Sequence, residues 1–221
     1  MTWPKGLLRH AGLVALLALA AGCTAIQSSP LAGLPGLGPR PVDARTLLTP
    51  DILARVNRPY LLVIRDKTDF ATTYAVEGEN PPVRTWFDGN RTSLSISRLG
   101  LIVRTAGLGR DLMTADVAGT EAALRRGGEA TTVRRVHRLL DGNDNVVATA
   151  YACQIEPIDP TAITLPTGTF QTFLIEESCA DAAGHSFQNS YWVDLKTGSL
   201  RQSRQWISPE VGTLTLQVLH D

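Results

Sequence analysis

Residues 42–221 predict a mainly β fold: a single domain of about ten antiparallel strands in a sheet that curls into an open barrel or strongly curved meander, with one or two short helices. Three observations carry this. Segments rich in β-branched and aromatic residues alternate apolar with polar positions at a period of two. Clusters of Gly, Pro, Asp and Asn punctuate them about every 8–12 residues. Only two stretches carry helix signals, so the sheet must protect its own edges by bending or closing.

Ahead of the domain, Met1–His10 holds two cations, Lys5 and Arg9, Ala11–Ala21 is apolar, and the run ends at Ala20-Ala21-Gly22-Cys23. A basic start, an apolar segment of about 7–15 residues and small residues at a cut form an export signal. The apolar segment falls short of the roughly 20 residues that a permanent span needs. With cysteine directly after the cut, residues 1–22 read as a lipoprotein signal peptide and Cys23 as the lipidated residue. Acyl chains there contribute about 0.8 kcal/mol per buried CH₂, enough for stable anchoring when more than one is buried. Thr24, rather than an aspartate, follows, which points to the outer membrane with the domain facing the periplasm. Residues 23–41, with Leu31-Ala-Gly-Leu-Pro-Gly-Leu-Gly-Pro39, read as a lipidated, flexible tether.

Thr49-Pro50-Asp51 supplies a hydroxyl N-cap, a proline at the first helical position and an acid in the first turn, predicting a short helix to about Arg55. Tyr60–Arg65, Ala71–Val76 and Val83–Phe87 read as strands, and Asp88-Gly89-Asn90 as a tight turn into Thr92–Ser97, where Leu94 and Ile96 alternate with serines. Leu101–Thr105 is a further strand; Ala106–Met113 loses the alternation and reads as a turn. Thr120 with Glu121–Arg126, closed by Gly127-Gly128, predicts one or two helical turns. Thr131–Leu140 and Val146–Ile155 flank the turn Asp141–Asn145. Pro157, Pro160 and Pro166-Thr167-Gly168 interrupt the chain before Thr169–Ser178. Phe187–Leu195, Leu200–Ile207 and Thr213–Leu219 follow, with Lys196-Thr-Gly198 as a connector.

Folding back at the proline-rich interruption sets Cys153 roughly opposite Cys179 on neighbouring antiparallel strands. An even pair in an oxidising compartment predicts a disulfide, worth about 3–4 kcal/mol in the chain-entropy model.

The 221 residues hold 21 Lys+Arg and 21 Asp+Glu; removing the leader with its two cations leaves a charge of −2. No global attraction to nucleic acid follows. Within that balance, Arg125, Arg126, Arg134, Arg135, His137 and Arg138 gather against one acid, Glu129. Such a stripe is a candidate for anion or glycan contact. Trp86, Trp192 and Trp206 are candidates for stacking on sugar rings, a use that competes with a place in the core.

No catalytic constellation emerges. Gly184-His185-Ser186-Phe187-Gln188 has Gln where a nucleophile elbow needs its second glycine. Gly107-Leu-Gly109 lacks the third glycine and the βαβ unit of a dinucleotide site. His137, His185 and His220 lack metal-ligand spacing and read as solvated surface histidines. Neither a cofactor nor a metal is expected, and no enzymatic activity.

Two blocks carry a resemblance. Val83-Arg-Thr-Trp-Phe-Asp-Gly89 leads into Leu94-Ser-Ile-Ser-Arg-Leu-Gly-Leu-Ile-Val-Arg-Thr-Ala-Gly-Leu-Gly-Arg-Asp-Leu112, with its Thr-x-Gly-Leu-Gly-x-Asp-Leu run. Leu165-Pro-Thr-Gly-Thr-Phe170, Tyr191-Trp-Val-Asp194, Thr197-Gly198 and Arg201-Gln-Ser-Arg-Gln-Trp206 form the second. Together they resemble the YjbF/GfcB family of exopolysaccharide and group 4 capsule lipoproteins. The resemblance implies an all-β periplasmic lipoprotein that takes part in producing or exporting a polysaccharide beside an outer-membrane β-barrel and other export proteins, with no catalytic residues to carry over. The other function class left open is a carrier holding a lipid or acyl chain in a half-open barrel.

Overall fold

The computed structural model describes residues 41–221; the leader, Cys23 and nearly all of the tether lie outside the described residues. Asp43–Asp221 pack as one unit of twelve strands: β1 (Tyr60–Arg65), β2 (Phe70–Asn80), β3 (Val83–Phe87), β4 (Ser93–Ser97), β5 (Ile102–Ala106), β6 (Leu112–Asp116), β7 (Thr131–Leu140), β8 (Val146–Leu165), β9 (Gly168–Ala180), β10 (Ser186–Asp194), β11 (Leu200–Ser208) and β12 (Gly212–His220). The expected curled antiparallel sheet is present, with a few more strands than the sequence suggests.

The strands form one sheet in the order β5-β4-β3-β2-β1-β12-β11-β10-β9-β8-β7-β6. The first strand pairs with the last, Val63 opposite Leu216, so the sheet's two edges are the consecutive strands β5 and β6. These lie side by side without a shared ladder, leaving a nearly closed barrel. Side chains close the seam. The Asp111 carboxylate accepts from Thr105 Oγ1 at 2.8 Å, Gly107 N at 2.8 Å and Leu108 N at 3.1 Å, while Leu112 N donates to Thr105 Oγ1 at 2.9 Å. A carboxylate that accepts two backbone N–H groups fixes the turn, and Gly107 supplies a φ of +81°.

Two departures from the sequence reading have physical causes. The stretch Ala106–Met113 ends inside β6, a strand that is only five residues long and follows the Asp111 turn too closely to display a period. And β8 does not stop at Ile155. It runs through Pro157 and Pro160 to Leu165, with a register shift between those prolines. Because β7 begins at Thr131 opposite Ile155, β8 has a free side beyond that point, where a proline without N–H costs no ladder bond.

Two helices complete the fold, α1 (Pro50–Leu53) and α2 (Ala118–Arg125). Thr49 caps α1 by accepting from Ile52 N, as the sequence predicts. A strap from Asp43 to Pro59 crosses the outer face: Asp43 accepts from Ala71 N at 3.1 Å, Arg45 bridges Asp43 and Asp69, and Ala44 joins Leu62, Ala71 and Leu219 in a small apolar cluster. The barrel interior is a packed core, including Leu94, Leu101, Ile155, Ile175, Tyr191, Ile207 and Leu214. Each such apolar side chain, fully buried, contributes about 1.5–3 kcal/mol.

Candidate functional site

The residues singled out from sequence separate in the structure. Alternation along β7 turns Val133, Arg135, His137 and Leu139 toward the core, while Arg134 points to solvent with Arg125 and Arg126 of the α2 end. Arg135 is 1% exposed and His137 is 0% exposed, so neither is part of a surface stripe. Arg138 is half-buried, and Arg125 is paired with Glu121 at 3.1 Å.

Arg135 instead forms a buried ion pair with Glu177 of β9, Nη1 to Oε2 at 2.7 Å. The rest of the carboxylate is satisfied by Tyr191 OH at 2.7 Å, Asn189 Nδ2 at 2.7 Å and the Thr120 hydroxyl from α2. Burial pushes the Glu177 pKa up, but Arg135 and these donors outweigh it and hold the carboxyl below the usual range; burial pulls Arg135 down and Glu177 more than restores it. Both stay charged. Arg135 Nε also donates to His137 Nε2 at 3.0 Å, which places the imidazole proton on Nδ1, where it finds no partner among the described residues. Burial, then Arg135, lowers the His137 pKa to about 3. The neutral ring stacks on Trp206 and Phe187, centroids 5.6 and 5.4 Å away, with Tyr151 edge-on.

Cys153 and Cys179 stand opposite each other in the β8–β9 ladder and form the disulfide the sequence predicts. Among the described residues, the one group of potential metal-ligand atoms is this pair with Glu177. Its sulfurs are bonded to each other and its carboxylate to Arg135. The sulfurs and the carboxylate are thus satisfied by their own neighbours and are not open to a ligand.

The three tryptophans share no platform either. Trp86 is 7% exposed in the main core, Trp192 sits half-buried on the outer face opposite Leu174 and Gln202, and Trp206 stacks in the aromatic group described above.

What sequence reasoning missed is a cleft of about 530 Å³ at the other end of the barrel. Its walls come from the β2–β3 turn with Pro81 and Pro82, the β4–β5 turn Ser97–Gly100, the β10–β11 turn Thr197–Leu200, the start of β11, and the end of β12. Leu61, Trp86, Ile96 and Leu216 make it apolar; Arg84, Arg98 and Arg201 bring charge. Two devices hold the walls. Gln205 reaches across from β11, accepting from Ile102 N and donating to Gly100 O, both at 2.8 Å. Asp194 accepts from Lys196 N at 2.8 Å, Thr197 N at 3.1 Å and Arg201 Nε at 2.8 Å, fixing the β10–β11 turn and aiming Arg201.

The model of a known family, described as group 4 capsule polysaccharide lipoprotein GfcB, YjbF, matches residues 24–219. The chain belongs to the YjbF family. Its fold is similar to the crystal structure of the hypothetical lipoprotein YmcC from Escherichia coli K12, at a TM-score of 0.67 and 14% identity over 77% of this chain and 88% of that one. A structure described as a lipoprotein from Parabacteroides distasonis aligns at a TM-score of 0.34 and 12% identity, covering 75% and 95% of the two chains. No curated protein matches the chain.

The YjbF-like blocks gain a structural meaning. The Thr105–Leu112 run is the seam closure around Asp111. Trp86 and Ile96–Gly100 from the first block and Thr197–Ser203 from the second, about a hundred positions apart in sequence, meet as walls of one cleft.

Proposed function

We propose that this YjbF-family lipoprotein is anchored through Cys23 to the outer membrane, with its barrel in the periplasm, and serves the production or export of a capsule or extracellular polysaccharide without catalysing a reaction itself, beside an outer-membrane β-barrel partner. The observation that carries the reading is the family match, which spans residues 24–219 and so takes in all twelve strands but for the last residue of β12. The cleft's chemistry agrees. A glycoside-cleaving site needs two carboxylates placed for acid and base work, whereas the two acids lining the cleft, Glu79 and Asp221, face Arg84 at 2.9 Å and Arg201 at 3.7 Å. An acyl-chain carrier draws less support, because the barrel interior is filled by side chains and the Arg135–Glu177 pair.

The test is deletion of the gene, with secreted and surface polysaccharide quantified and sized. Loss of polysaccharide, restored by the intact gene and not by Cys23→Ser, is the expected result. Unchanged yield and chain length in the deletion strain refute the reading.

A further inference from the structure

We propose that the end cleft binds an anionic oligosaccharide, a segment bearing uronic acid carboxylates, with Arg84, Arg98 and Arg201 receiving the charge and the apolar wall around Trp86 receiving the sugar's C–H faces. This rests on the polysaccharide reading above and gives it a substrate class and a site.

The volume, about 530 Å³, lies within the roughly 300–1,000 Å³ of small-molecule sites. The stronger argument is a count of donors and acceptors. A guanidinium carries five N–H donors and no acceptor. Arg84 commits only its Nε, to Glu79 at 2.9 Å. Arg201 commits Nε to Asp194 at 2.8 Å, and its Nη1 stands 3.7 Å from Asp221. Arg98, exposed on the β4–β5 turn, bonds to nothing among the described residues. Trp86 lines the apolar wall and is more than nine-tenths buried; its indole N–H is itself buried, finds no acceptor among the described residues, and reports on the cleft without reaching into it.

The cleft is thus rich in unused donors, and its own carboxylates already face arginines. A ligand that fits must be rich in acceptors. Carboxylates take guanidinium groups in paired hydrogen bonds, and ring hydroxyls and oxygens supply further acceptors. A pyranose also offers an apolar face to aromatic and aliphatic side chains, which inorganic phosphate does not. The three arginines come from β3, a turn and β11; Glu79 and Asp194 hold Arg84 and Arg201, so two of the three guanidinium positions are set before a ligand arrives.

The experiment titrates the full-length mature protein, ¹⁵N-labelled, with trigalacturonate, with maltotriose and with inorganic phosphate. Trigalacturonate is expected to move the Trp86 indole N–H resonance in a saturable manner, to bind more weakly as salt rises, and to lose about tenfold in affinity in Arg98→Gln, whose exposed position leaves the fold intact. Arg84→Gln provides a second, independent variant. Maltotriose is expected to bind at least tenfold more weakly than trigalacturonate. The proposal is overturned by absence of trigalacturonate binding up to about 10 mM, by equal binding of maltotriose, by phosphate displacing the sugar at equal concentration, or by affinities unchanged in both arginine variants. If the cleft fails these tests while the deletion strain still loses its polysaccharide, the binding site falls and the export role stands.

Discussion

The two ends of this barrel treat polar groups in opposite ways. Near the disulfide, Arg135, Glu177, Thr120, Asn189 and Tyr191 spend their hydrogen bonds chiefly on one another in the buried interior, beside a stack of aromatic rings. At the cleft, Arg84, Arg98 and Arg201 keep most of their donors unspent toward solvent. Buried charge is tolerated only when fully compensated, so the first region is a structural device. Uncompensated donors cost nothing where water reaches them. They remain available to a ligand, which is why function is sought at the second end.

The comparison is broken most sharply at the buried pair. Arg135→Met leaves a buried carboxylate without its cation and is expected to lower unfolding stability by about 3–5 kcal/mol in urea melts, whereas Arg135→Met with Glu177→Leu recovers most of that loss. Equal losses in the single and double variants would place the stabilisation elsewhere. Next in size, replacing Cys153 and Cys179 together with alanine is expected to cost about 3–4 kcal/mol at unchanged secondary structure by circular dichroism.

A pH effect follows from His137. The unfolded chain takes up its proton near the ordinary 6.5, and the folded chain does not until about 3. Stability from this group is therefore fully present above about 6.5 and falls as the pH drops through that window, by up to about 1.4 kcal/mol per unit. Glu177, held low, adds to the loss only below its ordinary 4.5. Between those two values the slope belongs to His137, and His137→Phe is expected to flatten it in urea midpoints measured from pH 7 to pH 5. Smallest of all, Arg98→Gln at the cleft is expected to change stability by less than about 0.5 kcal/mol. A larger loss would mean that the cleft end, too, is structural.

Much of the fold was legible because the sheet's alternation is local. β1, β3 and β7 have the limits that period and turn residues assign, and the Cys153–Cys179 pairing follows from folding two strands back on each other. What escaped had no local signature. β6 is too short to show a period, and the β8 extension depends on a neighbour that stops short. Arg135 and His137 were misplaced by counting charges in a window, although their parity with Val133 and Leu139 puts them on the core face. The cleft was invisible for a different reason. Its walls come from turns and strand ends scattered along the chain, and only the closed sheet makes Trp86 and Arg201 neighbours.

The pairing of β1 with β12 has a consequence for how the molecule is made. Tyr60–Arg65 lies near the start of the described domain, yet its partner Leu214–His220 stands roughly 150 positions further along the chain. Early hairpins can form as they appear, but the cylinder cannot zip until the final strand arrives, and such distant pairing is slow. A chain in which β12 has not yet paired therefore carries an unsatisfied strand edge open to its neighbours, and docking of this nine-residue strand is the event that turns an exposed ribbon into a barrel.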